Sequence, residues 1–550
     1  MPRRFLFSIP LLISLLLLTQ SISPVSAEPH AGEPLRLIVQ TGSLQQPRGV
    51  IQTQQKLLTQ LHSQGIQAAN IRVYRRVFNG FAVTIPASDL PVLERIYGEE
   101  NIFPDLLLHA STDVSIPLIG ANQVWELQDE NGEYITGRGV KVAVVDSGVN
   151  YKHPALGGCL GPGCKVTGGF DFVGDDGLFR PGVDADPMDD CGHGTHVAGI
   201  IASNSEVYRG VAYGADLLVY KVLNSNGDGT MSTVLAGIEQ AVIDGADIIN
   251  LSLSAPFNAP GFEPLNQAVN NAATQGVFVV AAAGNHGIQG YGSIFPPASA
   301  PGAFAVANIN KAEIRAESSS LGPDLYYDRF KPELAAPGSD IWSTYKNGFA
   351  QLTGTSMAAP HVSGAAALLL QAHPEWSPAD LRSALLNSTK ELDFRYAEVG
   401  AGKLQVDQAL RQPVLVYPAA LPLGLVKDGA AGGEFELKSI VETGLDVQIE
   451  VTPAKLALTP NYQAAPNVSS IPPEHIQPDV WTFNLAPGEI KQIRLSLNPP
   501  PLAASGYYEG AFLITIDDGV EPYRLRVPYT FWVPQAETYL PLLSFDYAVK

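Results

Sequence analysis

The central part of this 550-residue chain is predicted to be an α/β domain built on a doubly wound parallel sheet. Short, continuous apolar runs indicate strands that are buried on both faces, and helical patterns separate them. These runs occupy residues 140–146, 215–223, 246–254 and 276–284. Helices on both faces imply right-handed crossovers and a functional edge at the carboxyl ends of the strands.

The flanking regions have different patterns. Residues 34–109 predict a small α/β unit of strands and helices, and after Pro413 alternating β runs separated by Pro/Gly-rich turns predict an all-β sandwich. A chain of this length exceeds one compact core, so several folded units are expected. We therefore expect the chain to be divided into four segments, at residues 1–27, 28–109, 110–412 and 413–550.

Composition excludes some classes of function. Apolar residues make up 45% of the chain and charged residues 16%, which argues against disorder. The 34 basic and 54 acidic residues give a formal charge of -20, and no basic run is available to bind phosphates. Nucleic acid is therefore not an expected partner.

The first 27 residues have the layout of a secretory signal. Arg3 and Arg4 precede an apolar run over residues 5–18, and small residues end at Ala27, after which cleavage is expected. An uncleaved membrane anchor is the alternative, but polar residues and Pro10 interrupt a run already short for a bilayer span. We therefore predict a secreted, extracellular protein with no membrane span in its mature form.

Three cysteines leave at least one without an intramolecular partner. Cys159 and Cys164 flank a short Gly/Pro turn, so a small loop disulfide between them is the first choice. A pairing of Cys164 with Cys191 is the alternative.

Three segments carry the chemistry: VAVVDSGVN, DDCGHGTHVAGI and TGTSMAAPHVSGAAALLL. A serine hydroxyl is a poor nucleophile until a base removes its proton, and His193 suits that role for Ser356. Asp146, at the end of a buried strand, can fix the imidazole tautomer. Ser356 is expected to begin a helix in which Pro360 lies early enough to be tolerated.

In these segments the chain resembles the subtilisin-like serine proteases, from roughly Ile116 to Arg411. The resemblance implies a serine endopeptidase with Asp146, His193 and Ser356 as its catalytic triad. It also implies that Asn285 donates its side-chain amide to the developing oxyanion.

The resemblance further implies where polypeptide substrates bind. An extended peptide would add as a strand beside an edge of the site, and a primary specificity pocket with two walls would lie next to it. One wall is Ser252, Leu253 and Ser254, and the other is Ala281, Ala282, Ala283 and Gly284. Ser254 stands where relatives usually have Gly and would narrow the entrance. The small walls suggest an apolar or medium-sized residue before the scissile bond.

The flanking regions resemble known companions of this domain. Residues 28–109 are similar to the inhibitory propeptide, through VFNGFAVTIP and the helix that follows, so self-cleavage is expected between about Asp105 and Ser115. The C-terminal region looks like a fibronectin-type module.

No cofactor is expected for the chemistry. A structural calcium ion could bind the acidic cluster before His193, although a solvated loop is equally consistent with Asp184, Asp186, Asp189 and Asp190. His196 and His361 are better interpreted as packed helix residues than as metal ligands.

Two other functions compete with this interpretation. A catalytically inactive relative acting as a binding protein would normally lack a triad residue or the oxyanion donor, and all four are present. A lipase of the α/β-hydrolase type requires GxSxG followed by its acid, whereas Ser356 lies in GTSMA and comes last.

Overall fold

The structure is a computed structural model that describes residues 34–41, 54–74, 80–104, 114–173, 184–257, 262–324, 329–426, 429–465 and 469–534. The predicted signal segment, most of the predicted cleavage region and the apolar tail after Ala536 lie outside the described residues. The chain divides into two compact units, Met1–Ala110 and Ser111–Lys550.

The N-terminal unit is a four-stranded antiparallel sheet in the order β2-β3-β1-β4 with two helices. Phe81 and Leu61 belong to its apolar core. Three of these strands and both helices match the predicted small α/β unit, whereas the short strand β4 was not predicted. The bounds are β1 (Pro34–Gln40), α1 (Gln54–Ser63), β2 (Ala69–Tyr74), β3 (Gly80–Pro86), α2 (Leu90–Tyr97) and β4 (Ile102–Pro104).

The second unit contains a seven-stranded parallel sheet in the order β11-β10-β9-β8-β5-β7-β6. The sheet confirms the predicted fold class, because all four predicted runs form strands within it. Its strands are β5 (Lys141–Asp146), β6 (Val166–Asp171), β7 (Asp216–Lys221), β8 (Ile248–Leu251), β9 (Phe278–Ala282), β10 (Ala303–Ile309) and β11 (Leu334–Pro337).

Helices cover both faces of this sheet. The cores on the two faces are separate: α5 and α8 contribute to one, and α6 and α7 to the other. A hairpin of β12 (Ile341–Tyr345) and β13 (Gly348–Leu352) leads into α8. The helices are α3 (Ser115–Leu118), α4 (Ala121–Val124), α5 (His193–Ala202), α6 (Met231–Ile243), α7 (Glu263–Thr274), α8 (Thr355–Ala372), α9 (Pro378–Asn387), α10 (Tyr396–Val399) and α11 (Val406–Arg411).

The remaining strands form two sheets that share one apolar core, which confirms the all-β prediction. One sheet has the order β14-β16-β22-β20, and the other contains β15-β24-β23-β17-β21 with β18 and β19 attached. The strands are β14 (Val414–Tyr417), β15 (Leu421–Leu425), β16 (Ala431–Ser439), β17 (Leu445–Val451), β18 (Ala454–Leu458), β19 (Ser470–Ile471), β20 (Ile476–Pro478), β21 (Thr482–Leu485), β22 (Ile490–Leu497), β23 (Gly506–Asp517) and β24 (Tyr523–Val533).

Buried hydrogen bonds join this sandwich to the helices before it. The Asn387 amide nitrogen donates to the carbonyl oxygens of Ala419 and Arg526, at 2.7 Å each. The Tyr396 backbone N–H donates to Glu509 at 3.0 Å. The sandwich is therefore fixed to the α/β domain by specific side chains.

Cys159 and Cys164 form a disulfide and Cys191 is free, which confirms the first choice between the two predicted pairings. Among the helices of the described ranges, none combines the length and apolar character needed to cross a bilayer.

The Glu509 carboxyl makes the sandwich contact sensitive to pH. Burial raises the pKa of Glu509 to about 8. The effect of burial is larger than the opposing effects of the Tyr396 N–H and the Arg395 charge, which lower the pKa. Folded Glu509 therefore keeps its proton to about pH 8, whereas an unfolded glutamate ionises near pH 4.5.

Replacing Glu509 with Gln is expected to stabilise the chain at alkaline pH. The free energy of unfolding of the unaltered chain should fall as pH rises from about 4.5 to about 8, because only the unfolded state loses its proton there. Gln removes this loss, so the gain should be on the order of a few kcal/mol above pH 8 and small below pH 4.5. Thermal unfolding at both pH values measures it, with the exposed Glu450→Gln on β17 as control. An equal difference at both pH values would contradict the expectation.

Candidate active site

The predicted functional residues meet at the carboxyl edge of the parallel sheet. Asp146 is the last residue of β5, Ser252 follows the end of β8, and Asn285 lies shortly after β9. These three strands are neighbours in the order β9-β8-β5. His193 begins α5 and Ser356 is the second residue of α8, so two helix N-termini complete the site.

Asp146 and His193 form the central pair. The ring nitrogen Nδ1 of His193 donates to Oδ1 of Asp146 at 2.7 Å, and the carboxylate is fully buried whereas 27% of the histidine side chain is exposed. Burial alone would lower the pKa of His193, but the charge of Asp146 and its hydrogen bond outweigh burial. The pKa therefore lies above the ordinary value of 6.5. Because Nδ1 is engaged, Nε2 is the nitrogen available to act as a base.

A short loop sets the position of His193. The carboxylate of Asp189 accepts hydrogen bonds from the backbone of Cys191 and Gly192 and from both the N–H and the hydroxyl of Thr195. Gly192 has φ +103°, and a Cβ there would lie 2.6 Å from the Tyr345 ring. The sequence analysis treated Asp189 only as part of an acidic cluster and missed this role.

The Ser356 hydroxyl points toward Ser252, the residue that follows β8 and forms part of the cleft wall. It donates to the carbonyl oxygen of Ser252 at 3.1 Å. Within the described residues no hydrogen bond joins the Ser356 hydroxyl to Nε2 of His193. Of the predicted triad, the structure therefore shows the hydrogen bond between Asp146 and His193, whereas Ser356 is bonded to Ser252.

Asn285 is held by the residue that precedes the serine. Its side-chain oxygen accepts from the backbone N–H of Thr355 at 3.0 Å and from the Thr355 hydroxyl at 3.2 Å. These bonds fix the orientation of the amide, and its nitrogen, the only donor atom of the group, can donate to a developing negative charge. The role of Thr355 was not predicted, although its place in GTSMA beside Ser356 was a signal.

The two predicted pocket walls lie side by side, since Leu251 on β8 pairs with Ala281 on β9. A cavity of about 550 Å³ extends from His193 along Ser252, Leu253 and Ser254. Its apolar lining includes residues that the sequence analysis did not select: Leu223, Met231, Val234, Phe262 and Leu265. The residues predicted for the second wall, Ala281, Ala282, Ala283 and Gly284, are buried and are not among those that line this cavity, so their role in the primary specificity pocket stays a prediction.

The acidic cluster is largely occupied by protein groups. Asp190 pairs with buried Lys221 at 3.2 Å, and Asp186 accepts from the Tyr151 hydroxyl at 2.8 Å. With Asp189 also occupied, the four carboxylates do not form one open set of oxygen ligands. A search of the described residues finds no cluster of three acidic, histidine or cysteine side chains arranged for a metal. The contacts of Asp186, Asp189 and Asp190 do not support calcium binding there, and a structural calcium ion stays an expectation.

His196 and His361 are buried in the helices that follow the site residues. His196 Nε2 lies 3.0 Å from the Ile341 carbonyl oxygen, and the two ring nitrogens of His361 contact the carbonyl of Met357 and the hydroxyl of Ser115. These contacts agree with the prediction that both are packed helix residues.

Comparisons with known proteins found similar sequences and a similar solved structure. The sequence profile described as "Subtilase family" matches residues 137–409. The chain is 39% identical over 300 residues to Subtilisin DY from Bacillus licheniformis, spanning 54% of this chain and 97% of that protein. It is 40% identical over 280 residues to Subtilisin Savinase from Lederbergia lenta, spanning 50% and 93% respectively. A solved structure of a cold adapted subtilisin-like serine proteinase is 30% identical, covers 53% of this chain and 97% of its own, and has a TM-score of 0.43. Because this chain matches almost the full length of Subtilisin DY at 39% identity, it belongs to the subtilase family of serine endopeptidases.

Proposed function

We propose that this subtilase is a secreted endopeptidase that hydrolyses peptide bonds of extracellular proteins through an acyl-enzyme formed on Ser356. The observation that supports this most directly is the pairing of buried Asp146 with His193, at the sheet edge that also holds Ser356 and Asn285.

The proposed reaction begins when the Ser356 hydroxyl turns from the Ser252 carbonyl toward Nε2 of His193. The imidazole takes the hydroxyl proton as Oγ attacks the scissile carbonyl carbon, and Asp146 stabilises the imidazolium that forms. His193 then gives the proton to the leaving amine, which releases the first product. Water, activated by the same imidazole, hydrolyses the ester and restores Ser356.

Stabilisation of the oxyanion falls to Asn285 in this proposal. Its amide nitrogen would donate to the carbonyl oxygen as negative charge develops, together with backbone N–H groups at the start of α8. A donor that is already oriented requires no reorganisation during the reaction. The two bonds from Thr355 supply that orientation.

The proposed substrates are polypeptides with apolar side chains upstream of the cleaved bond. The cavity beside His193 supports this, because Leu223, Met231, Val234, Leu253 and Leu265 contribute to its lining. Its volume of about 550 Å³ accommodates more than one medium-sized side chain.

Export and maturation complete the proposal. Residues 1–27 would direct secretion, and residues 28–109 would inhibit the catalytic domain, residues 110–412, until self-cleavage removes them. A small independent unit that assists folding suits a parallel-sheet domain, because its many non-local contacts form slowly. The sandwich over residues 413–550 is proposed as a fibronectin-type-like domain that is retained in the mature enzyme.

The dependence of kcat/KM on pH should place the titration of His193 above 6.5. The base must be neutral to accept the serine proton, and the raised pKa keeps it protonated to higher pH, so activity rises through that pKa. Initial rates on a soluble peptide across pH measure the midpoint, with thermal stability at each pH as control. A midpoint at or below 6.5 would show that Asp146 does not dominate the environment of the imidazole.

Asn285→Ala is expected to lower kcat by about 10²–10³ with little change in KM, a magnitude that was measured on a subtilisin. The reason is that the lost donor acts mainly in the transition state. Asn271→Ala, on the exposed face of α7, is the matched control. An unchanged kcat in Asn285→Ala would remove Asn285 from the oxyanion site.

Ser356→Ala should accumulate as a precursor that begins near Glu28 and does not hydrolyse casein. The unaltered enzyme should instead begin between about Asp105 and Ser115, and a serine-directed phosphonate should block its activity by labelling Ser356. N-terminal sequencing and peptide mapping measure both, with the exposed Ser496→Ala as control. Recovering Ser356→Ala already cut near His109 without added protease would contradict self-processing.

A further inference from the structure

A proline interrupts the helix that carries Ser356. Pro360 is the sixth residue of α8, which begins at Thr355, so it lies beyond the first turn where proline is tolerated without loss. A proline has no N–H, and in an α-helix that N–H would bond the carbonyl four residues earlier. The carbonyl deprived of its helical donor is that of Ser356.

A side chain from the cleft wall supplies the missing donor. The Ser252 hydroxyl donates to the Ser356 carbonyl oxygen at 2.9 Å, and the Ser356 hydroxyl donates to the Ser252 carbonyl oxygen at 3.1 Å. Ser252, which donates to this carbonyl, is itself only 3% exposed. Two residues far apart in sequence thus exchange a reciprocal pair of hydrogen bonds.

Asn250 fixes the direction of the Ser252 hydroxyl. The Asn250 amide nitrogen donates to the Ser252 oxygen at 2.9 Å, and the Asn250 side-chain oxygen accepts from Ser363, further along α8, at 2.8 Å. A hydroxyl has one proton to donate. Because Ser252 already accepts from Asn250, its own proton is directed to Ser356. The side chains of Asn250 and Ser363 are both fully buried.

We infer that Asn250 and Ser252 are positioning residues that replace the helical hydrogen bond lost at Pro360 and thereby set the place of Ser356 against the cleft wall. Through Ser363 and Ser356, the end of β8 is attached to α8 at two points, two turns apart. The inference rests on the proposed role of Ser356 as the nucleophile.

Restoring the helical N–H at position 360 tests whether Ser252 replaces it. Ser252→Ala should lower kcat and the rate of phosphonate labelling roughly tenfold, because small displacements of a reacting group are costly. Pro360→Ala returns an N–H that can bond the Ser356 carbonyl within the helix. The double variant, Ser252→Ala with Pro360→Ala, should therefore recover most of the lost rate, and Pro360→Ala alone should stay near the unaltered enzyme.

The controls separate positioning from general stability. Ser388→Ala removes a buried serine-to-carbonyl bond at the end of α9, and should leave the labelling rate unchanged. Rates are expressed per active site by titration with the phosphonate, and melting temperatures are recorded for every variant. If Ser252→Ala does not fold, the double variant is compared with Pro360→Ala, and the two should show similar kcat.

The inference would be overturned if the reductions in kcat caused by Ser252→Ala and Pro360→Ala simply added in the double variant. A Ser252→Ala enzyme with a lower melting temperature and unchanged kcat would also overturn it. Failure of the phosphonate to label Ser356 in the unaltered enzyme would instead refute the proposed nucleophile. Labelling at Ser356 without rescue in the double variant would refute the positioning role alone.

Discussion

The buried carboxylate of Asp146 is the constraint on which the site depends. It ends β5 in the middle of the parallel sheet, has no exposed surface, and accepts from both the Ser147 backbone and the His193 ring. A buried charge is costly unless hydrogen-bonded, so the surrounding chain must deliver these donors at fixed positions. The loop before α5 is held by Asp189, and this loop positions the imidazole of His193 beside the Asp146 carboxylate. The identity of the base, its tautomer and its raised pKa all follow from this pairing.

The parallel arrangement of the strands explains why residues far apart in sequence meet at one edge. Asp146, Ser252 and Asn285 each follow a strand, and neighbouring parallel strands end on the same side of a sheet. The two remaining groups lie at helix N-termini, where the helix dipole favours negative charge. The carboxyl ends of strands thus supply Asp146 and Asn285, and the first residues of helices supply His193 and Ser356.

Much of this could be predicted from the residues. Continuous apolar runs gave the strands, alternation gave the sandwich, and three local motifs located Asp146, His193 and Ser356. The contributions of Thr355, Asp189 and Ser252 were missed because each depends on contacts between segments distant in sequence. The role of the second pocket wall stays a prediction, because the cavity beside His193 is lined by the first wall and by residues of α6 and α7. The cysteine pairing required coordinates, because both alternatives were compatible with the spacing.

The attachment of the sandwich has a consequence for how the enzyme meets large substrates. Asn387, Tyr396 and Glu509 make the connection through buried contacts, whereas a flexible linker would let the two parts rotate independently. The sandwich therefore keeps one orientation relative to the cleft. Any large molecule that entered the cleft while touching the sandwich would meet both parts at one fixed angle, and the two parts would turn together.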